Sequence, residues 1–207
     1  HPVLPMKPAQ TGCTDTIPDL DYALALSGIA ADSALKALMS PACYTPACSP
    51  HLAAEMENRP LTLAGLVDAY HALRPHAETL LIEGAGGALV PLNRKETMLD
   101  LMTELQLPIL IAARPGLGTI NHTLLTIKAL HQRNLSIAGF VFIPTRSDGS
   151  DFTESDNART IAEFGQIPWL GTIPYIPDLD TPTPMPFSKL PAATQYLIQE
   201  ILEKILP

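Results

Sequence analysis

Four places in the chain carry residue types that chemistry uses. Lys7 closes a short apolar run and opens Lys7-Pro8-Ala9-Gln10-Thr11-Gly12. A single cation at a strand end, with the Thr11 hydroxyl close by, suits a phosphate as a point charge. A solvated surface lysine would read the same way. Asp21 stands ahead of an apolar helical pattern, either as a metal-binding carboxylate or as an acid favoured at a helix start. Glu83 ends the run Thr79-Leu80-Leu81-Ile82 and precedes Gly84-Ala85-Gly86-Gly87. A carboxylate there can hold Mg²⁺ while the N–H groups of the loop receive anionic oxygens. A tight turn beside a solvated glutamate is the other reading. The fourth place is Gly116-Leu117-Gly118-Thr119-Ile120-Asn121-His122. Thr119 to Asn121 would offer free N–H groups to a phosphate or carboxylate at a helix start, unless Thr119 is only a cap. His51 and His122 both fall in first helical turns with no visible Ser or Cys partner, so nucleophilic catalysis is not expected.

These groups act together only if the backbone gathers them. Residues 3–6, 79–83, 108–113, 137–143 and 169–173 are short apolar runs bounded by turn formers and read as strands. Pro5 lacks an N–H and places the first run at an edge or a strand end. The runs at 79–82 and 108–113 are apolar throughout, which predicts parallel strands buried on both faces. Trp169 is expected in the core. Helical patterns lie between the strands. One opens at Asp21. A second covers 51–57, with Ser49 as cap and Pro50 in its first turn. A third covers 61–73, with Leu63, Leu66, Val67, Tyr70 and Leu73 on one face. The others cover 98–105, 119–132, 154–164 and 194–205. Residues 12–18 and 145–151 read as loops, 40–50 as non-helical because of three prolines, and 176–191 as Pro-rich and irregular. Strands alternating with helices predict one α/β domain over 1–207. Its mostly parallel, doubly wound sheet has helices on both faces, and 176–207 form a Pro-rich connection and a last helix. Ligands of such sheets bind beyond the carboxyl ends of the strands, where Lys7, Glu83 and the 116–122 segment all fall.

Composition narrows the function classes. Lys and Arg number 13 against 21 Asp and Glu, a formal charge of −8, and no basic run exists. That excludes a typical nucleic-acid binder. No apolar stretch reaches the roughly 18 residues of a membrane span. Hydrophobic residues make up 46% and aromatics 5%, so the core is aliphatic. Prolines number 21 of 207, about twice the usual ~5%. Cys13, Cys43 and Cys48 are odd in number and fit no zinc spacing, which points to free thiols in a reducing, cytoplasmic setting.

In order along the chain stand KPAQTG (7–12), DYALAL (21–26), SPHLAAEMENRP (49–60), IEGAGGALVPL (82–92), LPILIAARPGLGTINHTLLT (107–126), IAGFVF (137–142) and LGTIP (170–174). This collinear set covers most of residues 3–175 and resembles the dethiobiotin synthetases. The resemblance implies a P-loop NTPase-like scaffold. It also implies an ATP-dependent cyclo-ligase of biotin synthesis, which makes the ureido ring of dethiobiotin from 7,8-diaminononanoate and CO₂. A substrate amine takes up CO₂ as a carbamate, the carbamate attacks the γ-phosphate of ATP, and the second amine closes the ring by displacing phosphate. Carried over by position, Lys7 is the catalytic lysine and Thr11 a substrate contact. Asp21 and Glu83 are the Mg²⁺ carboxylates and, with Gly84, Ala85 and Gly86, belong to the nucleotide site. Ile173, Pro174 and Tyr175 hold the base. Gly118, Thr119 and Asn121 receive the substrate carboxylate across the interface of a homodimer.

Two departures accompany the resemblance. The family places a strand, a P-loop ending Gly-Lys-Thr and a helix ahead of KPAQTG. This chain begins at His1 and contains no G-x-x-x-x-G-K-[ST]. The expectation is an N-terminally truncated family member, with an inactive binding or regulatory paralogue on the same dimeric scaffold as the alternative. Secondly, Ile143-Pro144 stands where the family often has Asn-Asp. An isoleucine makes no bidentate contact with an adenine edge, so relaxed nucleotide selectivity is expected.

Overall fold

The computed structural model describes residues 3–145, 152–179 and 185–206. Most of the loop expected at 145–151, and residues 180–184 of the Pro-rich stretch, lie outside the described residues. The chain divides into two compact units, His1–Leu105 and Gln106–Pro207.

The first unit contains β1 (Val3–Met6), β2 (Ala9–Thr11), α1 (Pro18–Ser27), α2 (Ser33–Met39), β3 (Ala42–Tyr44), α3 (Pro50–Met56), α4 (Leu63–Leu73), β4 (Thr79–Ile82) and α5 (Met98–Leu105). β1 pairs with β4 in parallel, from Val3 opposite Thr79 to Met6 opposite Ile82. β2 pairs with β3 in parallel, with Gln10 opposite Cys43. Leu4 and Met6 of β1 pack with Leu20 and Leu24 of α1, Met39 of α2 and Leu73 of α4. A second cluster joins Ala9, Ala42 and Tyr44 of the other ladder to Ala53, Leu66 and Met98.

Local chemistry explains the ends of the helices. Pro18, whose ring fixes φ, stands in the first turn of α1, so the helix begins three residues before Asp21. Gly28 ends it with φ 69°, a left-handed cap that bonds back to Leu24 and Ala25. Asp32 accepts from the Leu35 N–H at 2.8 Å to start α2, and Thr62 accepts from the Gly65 N–H to start α4.

The second unit contains β5 (Ile109–Ala113), α6 (Thr119–Gln132), β6 (Ile137–Phe142), α7 (Phe152–Gly165), β7 (Trp169–Thr172) and α8 (Ala192–Ile205). β6 lies between β5 and β7, all parallel. Val141 and Leu170 pack on Ile201, which puts α8 on one face of this sheet. Phe140 and Phe142 alternate with Val141 and are fully buried on the other face, where α6 and α7 pack together. Gly139 lets β7 approach β6 closely: a Cβ there would stand 2.7 Å from the Pro168 carbonyl oxygen.

The α/β class and parallel pairing agree with the sequence reading, but two burial expectations do not. Leu81 is 62% exposed, so β4 is covered on one face only, the face of Leu80 and Ile82. Alternation turns Leu81 away from the helices that cover its neighbours. Trp169 is 43% exposed at the first residue of β7 rather than in the core. Its ring meets only the rim of the aromatic cluster, 6.4 Å from Phe142.

Candidate functional site

In the first unit the β1–β4 pairing brings two distant segments together. Pairing in register carries Met6 opposite Ile82, and the Glu83 N–H donates to the Met6 carbonyl at 2.9 Å. The next residue on each strand is therefore a charged one, Lys7 and Glu83. Lys7 Nζ donates to Glu83 Oε1 at 2.8 Å and to the Gly84 carbonyl at 3.1 Å. A third oxygen, Asp19 Oδ2, stands 2.7 Å away. The Lys7 side chain is 8% exposed, while Asp19 and Glu83 are 43% and 71% exposed. A buried ammonium thus faces two carboxylates that open to solvent. Burial pulls the Lys7 pKa down, but its hydrogen bonds to Asp19 and Glu83 outweigh it and hold the group above the ordinary lysine value.

Asp21 is elsewhere. Its Oδ2 accepts from the Ile17 N–H at 2.8 Å and its Oδ1 pairs with Lys36 Nζ at 2.7 Å. The Lys36 hydrogen bond, helped by the Ile17 N–H and opposed by partial burial, holds its carboxyl below the ordinary aspartate value. Asp21, not Asp19, adjoins the apolar pattern in the sequence, which hides Asp19 from a reading by periodicity. The available signal was Pro18, which starts the helix early and puts Asp19 in its first turn.

The Gly84–Gly87 loop after β4 keeps its N–H groups without backbone partners among the described residues. Two of its carbonyls are engaged: Gly84 O accepts from Lys7 Nζ and Gly87 O from the Val90 N–H. Gly86 has φ 76°, and a Cβ there would meet Val90 Cγ2 at 2.9 Å. Ala85 packs against the core cluster that holds Met98. Thr11 is partly buried at the end of β2, opposite Tyr44.

In the second unit, α6 starts at Gly118, which caps it with φ 91° and no side-chain hydrogen bond. The Thr119 N–H is taken by the Gly116 carbonyl at 3.1 Å, so Thr119 does not offer the free donor expected of it. Its side chain is buried and lies 3.4 Å from the Thr123 hydroxyl. A cleft of about 1240 Å³ opens here, lined in part by Arg114, Gly118, Thr119, His122, Pro144 and Asn157. Asn121 is exposed on α6 and does not line it. At the end of β7, Ile173 donates its N–H to the Phe142 carbonyl at 2.9 Å and packs beside Val141, while Pro174 is exposed and Tyr175 half-buried.

The oxygen-rich donor set around Lys7 suits a hard cation. Among the described residues no cluster of three or more His, Cys, Asp or Glu side chains forms a complete cage. One or two carboxylates with phosphate oxygens completing the shell is how Mg²⁺ is commonly held, and Glu83 with a neighbouring aspartate fits that pattern. No helix among the described residues is long and apolar enough to cross a membrane.

A family model described as an AAA domain matches residues 4–183. The ATP-dependent dethiobiotin synthetase BioD of Novosphingobium aromaticivorans is 41% identical over 179 residues, covering 85% of this chain and 77% of that protein. The protein of the same name from Nitrobacter hamburgensis is 41% identical over 182 residues, covering 86% and 76%. Among solved structures, the MinC:MinD cell division protein complex of Aquifex aeolicus aligns with a TM-score of 0.61 at 11% identity, over 99% of this chain and 83% of that one. That last likeness concerns the fold alone.

Proposed function

The chain belongs to the ATP-dependent dethiobiotin synthetases, and from that premise we propose that it closes the ureido ring of dethiobiotin from 7,8-diaminononanoate, CO₂ and ATP. The observation that carries the reading is the Lys7 ammonium, buried and held within 2.8 Å of Asp19 and Glu83. The reaction builds negative charge twice, on the carbamate and on the phosphoryl group in transfer. A fixed cation beside both lowers the barrier without reorganising at the moment of reaction. Lys7 meets this need because its two carboxylate partners keep it protonated across the working pH range.

The other roles follow by position. Lys7 exchanges its carboxylate partners for carbamate and γ-phosphate oxygens when substrates arrive. Thr11 contacts the diamine end of the substrate. The free N–H groups of Gly84 to Gly86 receive phosphate oxygens. Bound Mg²⁺ would offset phosphate charge, with Glu83 and either Asp19 or Asp21 as its protein ligands. Gly118 and Asn121 receive the substrate carboxylate at the start of α6, where the buried Thr119 holds the turn with its N–H on the Gly116 carbonyl, and Ile173, Pro174 and Tyr175 border the nucleotide base. We read the enzyme as a cytoplasmic homodimer with shared sites.

The test uses the full product of the reading frame with diaminononanoate, bicarbonate, Mg²⁺ and ATP. Dethiobiotin and ADP should accumulate in equal amounts by mass spectrometry. ADP release without dethiobiotin, or neither product above background, would overturn the reading.

A further inference from the structure

We propose that Cys13 and Cys43 form an oxidisable thiol pair, and that a disulfide between them clamps the ends of the segment that carries Asp19. The placement follows from strand alternation. Ala42 and Tyr44 of β3 point into the core cluster with Ala53 and Leu66, so Cys43 between them points to the opposite face of the β2–β3 ladder. Cys48 packs against that core cluster, away from this face. After β2 the chain turns at Gly12, whose φ is 75°. The turn seats the Cys13 N–H on the Tyr44 carbonyl at 2.9 Å and brings Cys13 Sγ back to the Gln10 carbonyl at 3.8 Å. Gln10 is the residue opposite Cys43. Cys43 Sγ meets the Ser40 hydroxyl at 3.2 Å and the Ser40 carbonyl at 3.4 Å.

The two thiols are therefore neighbours on one face of the ladder. Burial first, and then the adjacent Cys43 thiol, push the Cys13 pKa up to about 11. Both thiols are free in the resting protein. Cys13 is buried and Cys43 only partly so, which orders the chemistry. The Cys43 thiolate attacks a low-molecular-weight disulfide such as glutathione disulfide and expels one glutathione thiolate. The Cys13 thiolate then attacks Cys43 Sγ in the mixed disulfide and expels the second. Two protein thiols are oxidised, one glutathione disulfide is reduced, and the two thiol protons end on the two released glutathiones. The ring so closed contains all of α1 and α2, and with them the carboxylate that pairs with Lys7. None of the roles assigned to the ring-closing reaction uses either cysteine, so the pair stands apart from that reading.

The experiment incubates the protein with glutathione disulfide, traps remaining thiols with iodoacetamide, and maps the peptides by mass spectrometry. Three alkylated cysteines are expected before treatment and one, Cys48, afterwards, with a Cys13–Cys43 cross-linked peptide that dithiothreitol abolishes. Cys48→Ser should still close the bridge. Cys13→Ser should stop at a glutathione adduct on Cys43. Retention of three free thiols in the folded protein, or a bridge that includes Cys48, would overturn the proposal. So would a Cys13–Cys43 bridge that forms only in denaturant.

Discussion

Asp19 and Asp21 stand two residues apart on α1 and answer to different lysines: Asp19 pairs with Lys7 at 2.7 Å and Asp21 with Lys36 at the same distance. Positions i and i+2 of a helix point to different sides. One acid faces the strand ends and the other faces α2. The resemblance gives the Mg²⁺ role to Asp21 with Glu83, and the two aspartates can be tested separately.

Asp19→Asn should lower turnover of the full enzyme by about tenfold or more, because Lys7 loses a charged partner and the site loses a carboxylate. Its thermal midpoint should hardly move. Asp21→Ala should do the reverse: a midpoint lower by a few degrees, from loss of about 1 kcal/mol of capping at Ile17, with turnover within a few-fold. Kinetics and melts on both variants decide. A larger turnover loss in Asp21→Ala would return the metal role to Asp21.

Lys7→Gln keeps the side chain's length and removes the charge. Turnover should fall roughly 10²–10³-fold, as for other removals of one electrostatic stabiliser. Glu83→Gln should instead raise the Mg²⁺ concentration needed for half-maximal rate, since a neutral amide is a poorer ligand for a hard cation. Titrating Mg²⁺ should recover part of the Glu83→Gln activity and none of the Lys7→Gln activity. Equal recovery would mean the two roles are misassigned.

The Asp21 pair also sets an acid limit. Its folded pKa lies below the reference 3.8, first because of the Lys36 hydrogen bond. A carboxyl lowered in the folded state adds stability above its unfolded pKa and loses it as pH falls through the folded value. Urea unfolding of wild type and Asp21→Asn should therefore differ by a constant amount at pH values above about 5 and converge below the reference 3.8. A gap that persisted at lower pH would rule out this charge pair as its source.

Gly139→Ala tests the packing of the second unit. The new Cβ would meet the Pro168 oxygen at 2.7 Å and Leu170 side-chain carbons at 2.9 Å, at a φ of 151°. Something must shift, and a cost of about 2–4 kcal/mol in urea unfolding is expected. Gly87→Ala, where a Cβ meets nothing within 4 Å, is the control and should cost well under 1 kcal/mol.

Much of this was legible from residue order. α6 spans Thr119–Gln132 as its periodicity indicated, and β4, β5, β6 and β7 lie within the expected runs. Lys7 and Glu83 could be named separately, but not their 2.8 Å contact, because that depends on the β1–β4 register. β2 and β3 escaped notice because each is three residues long. Pro41 and Pro46 flank β3 without entering it, so a stretch that forbids a helix still admits a strand. Helix α2 was missed because its start signal is a lone Asp32 cap rather than a periodic run. The fate of the Thr119 N–H was invisible because the Gly116 carbonyl reaches it only through the turn at Gly118. Leu81 misled for a related reason. A run of apolar letters records what a strand can bury, while neighbouring elements decide what it does bury.

Parallel pairing has a consequence for the order in which the protein is made. A hairpin can close as soon as its second strand emerges, but among the described residues β1 pairs with β4, and Lys7 meets Glu83 76 positions further along the chain. At translation speeds of about 5–20 residues per second, Lys7 is out for roughly 4–15 s before Glu83 has been added. During that interval the nascent chain displays an unpaired strand edge and a cation with one of its two acids still unborn. Codon choice between residues 7 and 83 therefore bears on how long the ribosome holds this segment open to chaperones and to neighbouring chains.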